Sequence, residues 1–304
     1  MTIHIFYHSS DLDGHCGGAI IKYKFPDAKM HAINYNQQFP LEKINQEKDT
    51  IIFVDFCLQP ISEIIKLFNI FNERLILIDH HISTINDLKE NNLNNKISGI
   101  RDINFSGCEL AWKFFYPETE TPYCVHLLGR YDIWDHQDPN TLPFQFGMRL
   151  NDTWPNEKNI TMWENYFKDT FDNHDSIVSQ TIEKGKVILE YQRQENEKYA
   201  KSCAFELIFQ GYKAIAINKL LTNSQLFDSI WDENKYDLMI AFGIRSNGMW
   251  TMSFYTTKTN VDCSKLAKSF GGGGHAQAAG CSLKILPDDF INQIQNSSFS
   301  ILKI

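Results

Sequence analysis

Short apolar runs alternate with helical patterns over the first part of the chain. The expected strands cover residues 3–8, 29–34, 50–55 and 74–79, and the expected helices cover about 15–25 and 60–71. Runs rich in Ile, Val and Leu that alternate with helices are typical of βαβ units and a largely parallel sheet. The pattern therefore predicts an α/β fold with a mainly parallel N-terminal sheet.

The middle of the chain is more polar and more helical. An Asn-rich stretch at 86–96 is expected to be a solvated surface segment, and helices are expected at 107–116 and 122–130. A Pro-containing, aromatic-rich connection then runs to about residue 154. Residues 175–201 lack Pro and contain only one Gly, Gly185, which predicts a long helix that connects two domains.

A second strand-rich region follows this helix. Strands are expected at 203–209, 212–217, 236–244 and 250–256, with a helix at 262–270 and then a Gly-rich turn. We therefore expect three parts: a larger α/β domain at 1–155, a helical linker at 156–201 and a smaller α/β domain at 202–304.

The charge is unevenly distributed along the 304 residues. The whole chain has 29 Lys and Arg against 37 Asp and Glu, a formal charge of −8. Residues 1–200 have 19 basic and 29 acidic side chains, whereas residues 201–304 have 10 and 8. Binding of long nucleic acid by charge alone needs a basic surface, so the composition argues against that mode of binding.

Cysteine usage and hydropathy indicate the compartment. The seven cysteines are scattered and form no C-x-x-C pair, which predicts reduced thiols rather than a disulfide framework. No apolar run is long enough to span a bilayer, and the N-terminus lacks the pattern of a signal peptide. We expect a cytoplasmic protein with no membrane partner.

Residues that can bind metal ions follow three of the predicted strands. The first strand ends at His8, the third at Asp55, and the fourth is followed by the triplet Asp79-His80-His81. The carboxyl ends of neighbouring parallel strands face one crevice, so we expect these side chains to converge. Three further carboxylates belong to the same candidate cluster: Asp11, Asp13 and Asp132.

Such a cluster is suited to divalent cations. Crowded carboxylates repel one another and raise one another's pKa unless cations are present. Carboxylate and imidazole ligands without thiolate favour Mn²⁺ or Mg²⁺ over structural zinc. Two such ions can activate a water molecule for in-line phosphoryl displacement. Any one of these Asp residues could instead be a helix cap, but three strand ends with the same chemistry favour a metal site.

The order of these motifs resembles the DHH superfamily of phosphoesterases. The order is His8-x-x-Asp11-x-Asp13, then Asp55, then Asp79-His80-His81, then Asp132. The run from Phe270 to Gly280, FGGGGHAQAAG, resembles the Gly-rich signature of the associated C-terminal DHHA1 domain. The segment Gly243-Ile244-Arg245-Ser246 resembles the strand that offers an Arg to substrate phosphate.

The resemblance implies a role for each matching residue. One metal would be held by His8, Asp11 and Asp55, and the other by Asp13, Asp55, His80 and Asp132. Asp55 would bridge the two ions, Asp79 would orient His80, and His81 would stabilise charge on the scissile phosphate. Substrate would be bound by Arg245, Gly272, Gly273, Gly274 and His275. The ions would be two Mn²⁺, with Mg²⁺ or Co²⁺ as substitutes.

In its size and two-domain organisation, the chain is similar to the superfamily members that degrade nanoRNA. The resemblance implies a catalytic metal-binding domain at 1–155 and a substrate-binding domain at 202–304. The resemblance therefore implies an Mn²⁺-dependent oligoribonuclease, a phosphodiesterase acting as an exonuclease on very short RNA or DNA. Phosphatase action on 3′-phosphoadenosine 5′-phosphate (pAp) and hydrolysis of cyclic or linear dinucleotides stay open as alternatives. A nucleotide sensor without turnover is the contrasting class, and a homodimer is compatible with the sequence.

Four aromatic residues near the expected domain junction are candidates for stacking on a base. They are Trp134, Phe144, Phe146 and Trp154. Aromatic faces accept bases with little sequence preference. Because aromatic residues also dominate cores and interfaces, packing is the favoured interpretation for this group.

Overall fold

The computed structural model describes residues 1–35, 37–171 and 175–296. The chain divides into two compact units, Met1–Leu189 and Glu190–Ile304.

A four-stranded parallel sheet forms the centre of the first unit. Its strands are β1 (Ile3–His8), β2 (Lys29–Ile33), β3 (Thr50–Val54) and β4 (Leu75–Ile78), in the order β2-β1-β3-β4. The surrounding helices are α1 (Leu12–Lys24), α2 (Ser62–Phe71), α3 (Ile82–Glu90), α4 (Gly107–Phe115), α5 (Tyr123–Asp132), α6 (Thr141–Met148) and α7 (Ile160–Lys168). All four strands end at the same edge of the sheet.

Both faces of this sheet are buried. Alternate side chains belong to different clusters, so that Ile5 and Ile52 pack with α1 and α4 while Phe6 and Phe53 pack with α2. A parallel sheet covered on both faces needs continuous apolar strands, which explains the unbroken apolar runs in the sequence. This packing holds the strand ends in place, and it therefore also determines the positions of the residues that follow each strand.

The second unit contains a six-stranded mixed sheet. Its strands are β5 (Ala204–Phe209), β6 (Tyr212–Asn218), β7 (Leu238–Ile244), β8 (Trp250–Tyr255), β9 (Gly273–Gly274) and β10 (Ala278–Leu283), in the order β5-β6-β7-β8-β10-β9. Strands β6 and β7 pair in parallel, and the other neighbouring pairs are antiparallel. The predicted α/β class, with a mainly parallel first sheet and a smaller second α/β part, is confirmed.

The helices differ from expectation in three places. The long helix α8 covers Ile177–Cys203, close to the predicted 175–201, and α9 (Cys263–Ser269) matches the helix expected at 262–270. Helix α3 reaches into the stretch expected to be a surface segment, because it buries Ile85 and Leu88. Helix α6 lies within the expected connection, and α7, which buries Trp163, follows it. A terminal helix, α10 (Asp288–Asn296), was not predicted.

No helix in the described ranges is long and apolar enough to cross a membrane. The seven cysteines carry free thiols, six of them buried and Cys203 exposed.

Candidate metal centre

The centre forms where β1, β3 and β4 end. His8 closes β1, Asp55 follows β3, and His80 comes two residues after β4. The two carboxylate oxygens of Asp55 face different histidines: Oδ2 lies 3.3 Å from His8 Nδ1, and Oδ1 lies 3.2 Å from His80 Nε2. Asp55 is therefore placed to serve two adjacent ligand groups at once.

Three groups of possible metal ligands surround Asp55. They are His8, Asp11 and Asp55; Asp55, His80 and His81; and Asp13, His80 and Asp132. The ligand atoms within each group lie within 4.8 Å of one another. The structure thus brings all six predicted metal ligands together, along with His81.

The backbone at Asp55 has an unusual conformation. Its φ of 55° lies in the left-handed region, and its N–H donates to the carbonyl of Ile78 on β4 at 2.9 Å. Non-Gly residues rarely adopt this region, although Asp tolerates it better than most. Strained residues of this kind cluster at functional sites, where the surrounding fold holds them.

The carboxylate of Asp11 has two roles. Its Oδ1 accepts the N–H of Gly14 at 2.9 Å and caps α1, while Oδ2 lies 2.8 Å from His8 Nδ1. The helix-cap interpretation and the ligand interpretation are both compatible with this geometry, because they use different oxygens. A side chain at Gly14 would approach the carbonyl oxygen of His8 to 2.2 Å, so a glycine is required there.

Asp13 is held by the first turn of α4. Its Oδ2 accepts the N–H of Gly107 at 2.7 Å, and its Oδ1 accepts the N–H of Cys108 at 2.8 Å. Backbone N–H groups at a helix N-terminus have no partner within the helix and favour an anion. This contact was not predicted from the sequence, although the capping box of Ser106 and Glu109 marks where α4 begins.

Gly107 allows the close approach of α4 to the metal centre. A Cβ at this position would lie 2.5 Å from Asp55 Cβ and 3.0 Å from Asp13 Oδ2. Replacement of Gly107 by alanine should therefore displace two ligands and lower Mn²⁺ affinity by at least about tenfold, the scale of losses at groups that support metal ligands. Calorimetric titration with Mn²⁺ measures this change, and wild-type affinity in a folded G107A variant would contradict it.

Asp79 orients His81 rather than the ring of His80. Its Oδ1 accepts the N–H groups of His80 and His81, at 2.9 and 3.3 Å, and accepts Nδ1–H of the His81 ring at 2.7 Å. This differs from the expected contact with the His80 ring, because the short turn after β4 directs the carboxylate towards His81. Residues that orient an imidazole in this way fix its tautomer.

Asp79 and His81 favour each other's charged forms. Burial disfavours the charged form of each, but their mutual hydrogen bond and charge attraction outweigh it, so the pKa of Asp79 is lowered and the pKa of His81 is raised. His81 thus has an Nδ1–H engaged with Asp79, and its Nε2 is the ring nitrogen that remains for another contact.

Asp132 is the last ligand candidate along the chain, at the end of α5. Its Oδ2 lies 3.3 Å from His80 Nε2. Two residues earlier, Arg130 donates to Glu109 of α4 and also to the carbonyl of Asn104 at 3.2 Å. This pair links α5 to the helix that holds Asp13. A role for Arg130 or Glu109 was not predicted from the sequence.

The charges of the centre match a site for cations. Burial raises the pKa of Asp55, and the charge of Asp13 raises it further. Burial and the charges of Asp13 and Asp55 raise the pKa of Asp132 to about 8. Burial lowers the pKa of His8, but Asp11 and Asp55 outweigh it and raise that pKa to about 10. Within the described residues, His8 Nδ1 and Asp55 Oδ1 are buried without an aligned hydrogen bond. These orphaned atoms and this donor set fit hard divalent cations.

The metal-free protein should lose stability as the pH rises from about 4 to 8. A carboxyl whose pKa is raised on folding binds more protons in the folded state, so its favourable contribution is complete below the unfolded value of 3.8 and disappears as the pH passes the folded value, about 8 for Asp132. Thermal melts in EDTA across this range measure the effect. Mn²⁺ should remove most of the decline, and a metal-free midpoint that rises from pH 5 to 8 would contradict the interpretation.

The predicted substrate residues lie in the second unit. Arg245 follows β7 and lines a cavity of about 410 Å³ with Lys219, Thr222, Ser246, Thr251 and Ser253 among its other residues. Gly273 and Gly274 form β9, which pairs with β10, and His275 follows it. In the sheet order β7 and β9 are separated by β8 and β10, so Arg245 and His275 do not follow neighbouring strands.

Sequence comparison finds relatives over most of the chain. No protein-family model matches it. It is 26% identical over 307 aligned residues to the uncharacterized protein R106 of Acanthamoeba polyphaga mimivirus, with 91% of this chain and 66% of that protein covered. It is 24% identical over 306 aligned residues to oligoribonuclease NrnB of Bacillus subtilis, with 92% and 72% covered. The chain thus spans about two thirds of the length of the mimivirus relative.

Solved structures with the same fold cover both units. A DHH domain described as a member of the s1p family of ribosomal proteins has a TM-score of 0.56 at 13% identity, with 93% of this chain and 83% of that chain covered. PggH, a pGpG-specific phosphodiesterase of Vibrio cholerae, has a TM-score of 0.53 at 13% identity, with 97% of each chain covered. In its fold and in the order of its motifs, the chain is similar to the DHH superfamily of phosphoesterases.

Proposed function

We propose that the protein is an Mn²⁺-dependent phosphodiesterase that hydrolyses very short oligonucleotides to mononucleotides as an exonuclease. The observation that carries this proposal is the bridging placement of Asp55, whose two oxygens face the His8 group and the His80 group. The similarity to an oligoribonuclease over 92% of the chain supports the choice of substrate.

In this proposal the residues divide between two ions as the resemblance implies. His8, Asp11 and Asp55 would hold one ion, and Asp13, Asp55, His80 and Asp132 would hold the other. Bound divalent cations supply Lewis acidity to the phosphate and lower the pKa of water. The protein itself contributes orientation, because α4 fixes Asp13 and the capping of α1 fixes Asp11. His81, oriented by Asp79, would donate to an oxygen of the scissile phosphate as charge develops there.

The cavity at Arg245 is assigned to a phosphate group of the substrate. It combines the cations of Arg245 and Lys219 with the hydroxyl groups of Thr222 and Ser246, and such groups bind phosphate by charge-assisted hydrogen bonds. Lys219 was not predicted from the sequence. Its Nζ donates to Asn196 at 3.0 Å and lies 4.7 Å from the Tyr199 ring centroid.

Replacement of Arg245 by alanine should raise KM for 5′-phosphorylated dinucleotides by roughly tenfold, the loss of one charge-assisted contact. Mn²⁺ affinity should stay unchanged, because Arg245 is remote in sequence from the ligand set. Arg193→Ala is the matched control, since Arg193 is an exposed arginine on α8 that pairs with Glu190. A loss of Mn²⁺ affinity without a change in KM would contradict the assignment.

A substrate panel tests the proposal directly. Purified protein with Mn²⁺ is incubated with 5′-phosphorylated RNA and DNA oligomers from dimer to decamer, with pAp, and with linear and cyclic dinucleotides. Preferential turnover of dimers through pentamers to mononucleotides is the expected result. Faster release of phosphate from pAp, or turnover of decamers at the rate of dimers, would contradict the proposal. Binding without any product would indicate a sensor.

A linear-dinucleotide phosphodiesterase is the second candidate. The specific observation in its favour is the fold similarity to PggH, which is described as specific for pGpG. The two candidates differ on trimers to pentamers, which an oligoribonuclease degrades and a dinucleotide-specific enzyme leaves intact.

A further inference from the structure

A partly exposed aromatic cluster flanks the last metal-ligand candidate in the sequence. It consists of Tyr131, Trp134 and His136, with ring centroids 4.9 Å apart for Trp134 and His136 and 5.8 Å apart for Tyr131 and His136. Trp134 is 68% exposed. Asp132, which belongs to the metal centre, lies two residues before it. The metal centre and a large exposed aromatic ring therefore share the same helix end.

The backbone of Trp134 adopts a conformation that usually belongs to glycine. Its φ is 63°, its N–H donates to the carbonyl of Tyr131 at 3.2 Å, and the next N–H, of Asp135, donates to the carbonyl of Arg130 at 2.8 Å. These two bonds form a Schellman motif, in which glycine is the common residue at the left-handed position. A bulky residue there is a genuine outlier.

Stability does not account for a tryptophan at this position. The side chain is mostly exposed, so it buries little apolar area, and its backbone conformation is unfavourable for a residue with a Cβ. The other three aromatic candidates differ. Phe144 and Phe146 are buried, and Trp154 packs against His15 with ring centroids 4.6 Å apart. The structure thus separates Trp134 from the residues that serve packing.

We propose that Trp134 is a substrate-binding residue that stacks on a nucleobase adjacent to the scissile phosphate. This inference rests on the proposed function and adds a base-binding element to the metal centre. A base stacked on an aromatic ring is held with little sequence preference, so Trp134 would select for a nucleoside next to the phosphate and not for one particular base. Arg149, whose Nη2 donates to Tyr131 Oη at 3.3 Å, adds a cation beside the cluster.

The test compares substrates with and without a base. KM and kcat are measured for a 5′-phosphorylated dinucleotide and for the same compound with one abasic residue, using wild type, Trp134→Ala, Trp134→Gly and Trp134→Phe. We expect the Ala and Gly variants to raise KM for the intact dinucleotide roughly tenfold, the order expected for one lost stack. Their KM for the abasic compound should match that of wild type, and the Phe variant should retain tight binding.

Two further measurements separate stacking from a structural role. Trp134→Gly should melt at a higher temperature than Trp134→Ala, because glycine suits the left-handed position. Leu150→Ala removes another exposed apolar side chain of the same unit and should change neither KM nor kcat. An equal KM increase for the abasic and the intact dinucleotide would overturn the proposal. So would a change of oligomeric state in the Trp134 variants with KM unaltered.

The inference can fail independently of the proposed function. If wild type hydrolyses no dinucleotide, equilibrium binding of AMP and of ribose 5-phosphate with Mn²⁺ still tests it. Wild type should bind AMP more tightly, and Trp134→Ala should lose that preference. Equal affinity of wild type for both compounds would overturn the role of Trp134, whatever the reaction.

Discussion

Replacement of Asp55 by asparagine should reduce Mn²⁺-dependent hydrolysis by roughly a thousandfold or more, which corresponds to about 4 kcal/mol of activation free energy. The two oxygens of Asp55 face both sides of the centre, His8 at 3.3 Å and His80 at 3.2 Å. An amide has one oxygen and no negative charge, so it cannot replace a bridging carboxylate. The measurement is kcat/KM for a 5′-phosphorylated dinucleotide.

The same substitution should stabilise the metal-free protein. Burial and the charge of Asp13 raise the pKa of Asp55, so ionisation of this carboxyl costs more free energy in the folded state than in the unfolded state. Removal of this charge relieves the repulsion. In EDTA, Asp55→Asn should therefore melt above wild type, whereas saturating Mn²⁺ should raise the midpoint of wild type alone.

Asp102→Asn is the matched control for this experiment, because Asp102 lies outside the metal centre and hydrogen-bonds only locally, to Asn104. It should leave both hydrolysis and the Mn²⁺-induced shift of the midpoint unchanged. Undiminished hydrolysis by Asp55→Asn would refute the bridging role. A folded variant that keeps the full Mn²⁺-induced shift would refute its role as a ligand.

Replacement of Arg130 by alanine should destabilise the protein by about 3 kcal/mol and weaken Mn²⁺ binding as well. Arg130 donates to Glu109, whose side chain is 5% exposed. Removal of Arg130 leaves the buried Glu109 carboxylate with only the Ser106 N–H and the His126 ring, at 3.7 Å, among the partners that the structure describes, which is more costly than the loss of an exposed ion pair. Urea denaturation measures the free energy of unfolding, and calorimetric titration measures the metal affinity.

An exposed Arg–Glu ion pair elsewhere in the chain serves as the control for this substitution. Arg193 contacts Glu190 on α8, and both side chains are more than half exposed. Arg193→Ala should leave the denaturation midpoint within experimental error, because exposed ion pairs contribute little. Metal affinity should fall only in the Arg130 variant, since Arg130 lies on the last turn of α5, two residues before Asp132. Equal destabilisation by both substitutions would show that the Arg130–Glu109 pair has no special role.

The residues at strand ends could be predicted because their positions follow from the fold. An apolar run that ends in His8 or Asp55 places that residue at the carboxyl edge of a parallel sheet. The predicted cluster therefore needed only the strand pattern and the order of motifs. Helix α8 was predicted within two residues at each end for a different reason, because its segment lacks Pro and contains one Gly.

Contacts between distant segments could not be predicted in this way. Asp13 and Gly107 are 94 residues apart, and nothing in the local pattern of either segment names its partner. Arg130 and Glu109 are separated by 21 residues, and their pairing depends on how α4 packs against α5. The contact of Asp79 with His81 depends on the side-chain rotamers in a short turn, and the residue types alone do not determine these rotamers.

The hydrogen bonds from α4 to Asp13 also affect when the metal centre can form during synthesis of the chain. The ligand candidates extend from His8 to Asp132, and Asp13 reaches its position only when the first turn of α4 is in place. A nascent chain that ends before α5 would present the acidic residues without their full set of partners. Capture of the ions would therefore have to wait for α5, and metal uptake would report that the first unit has folded through Asp132.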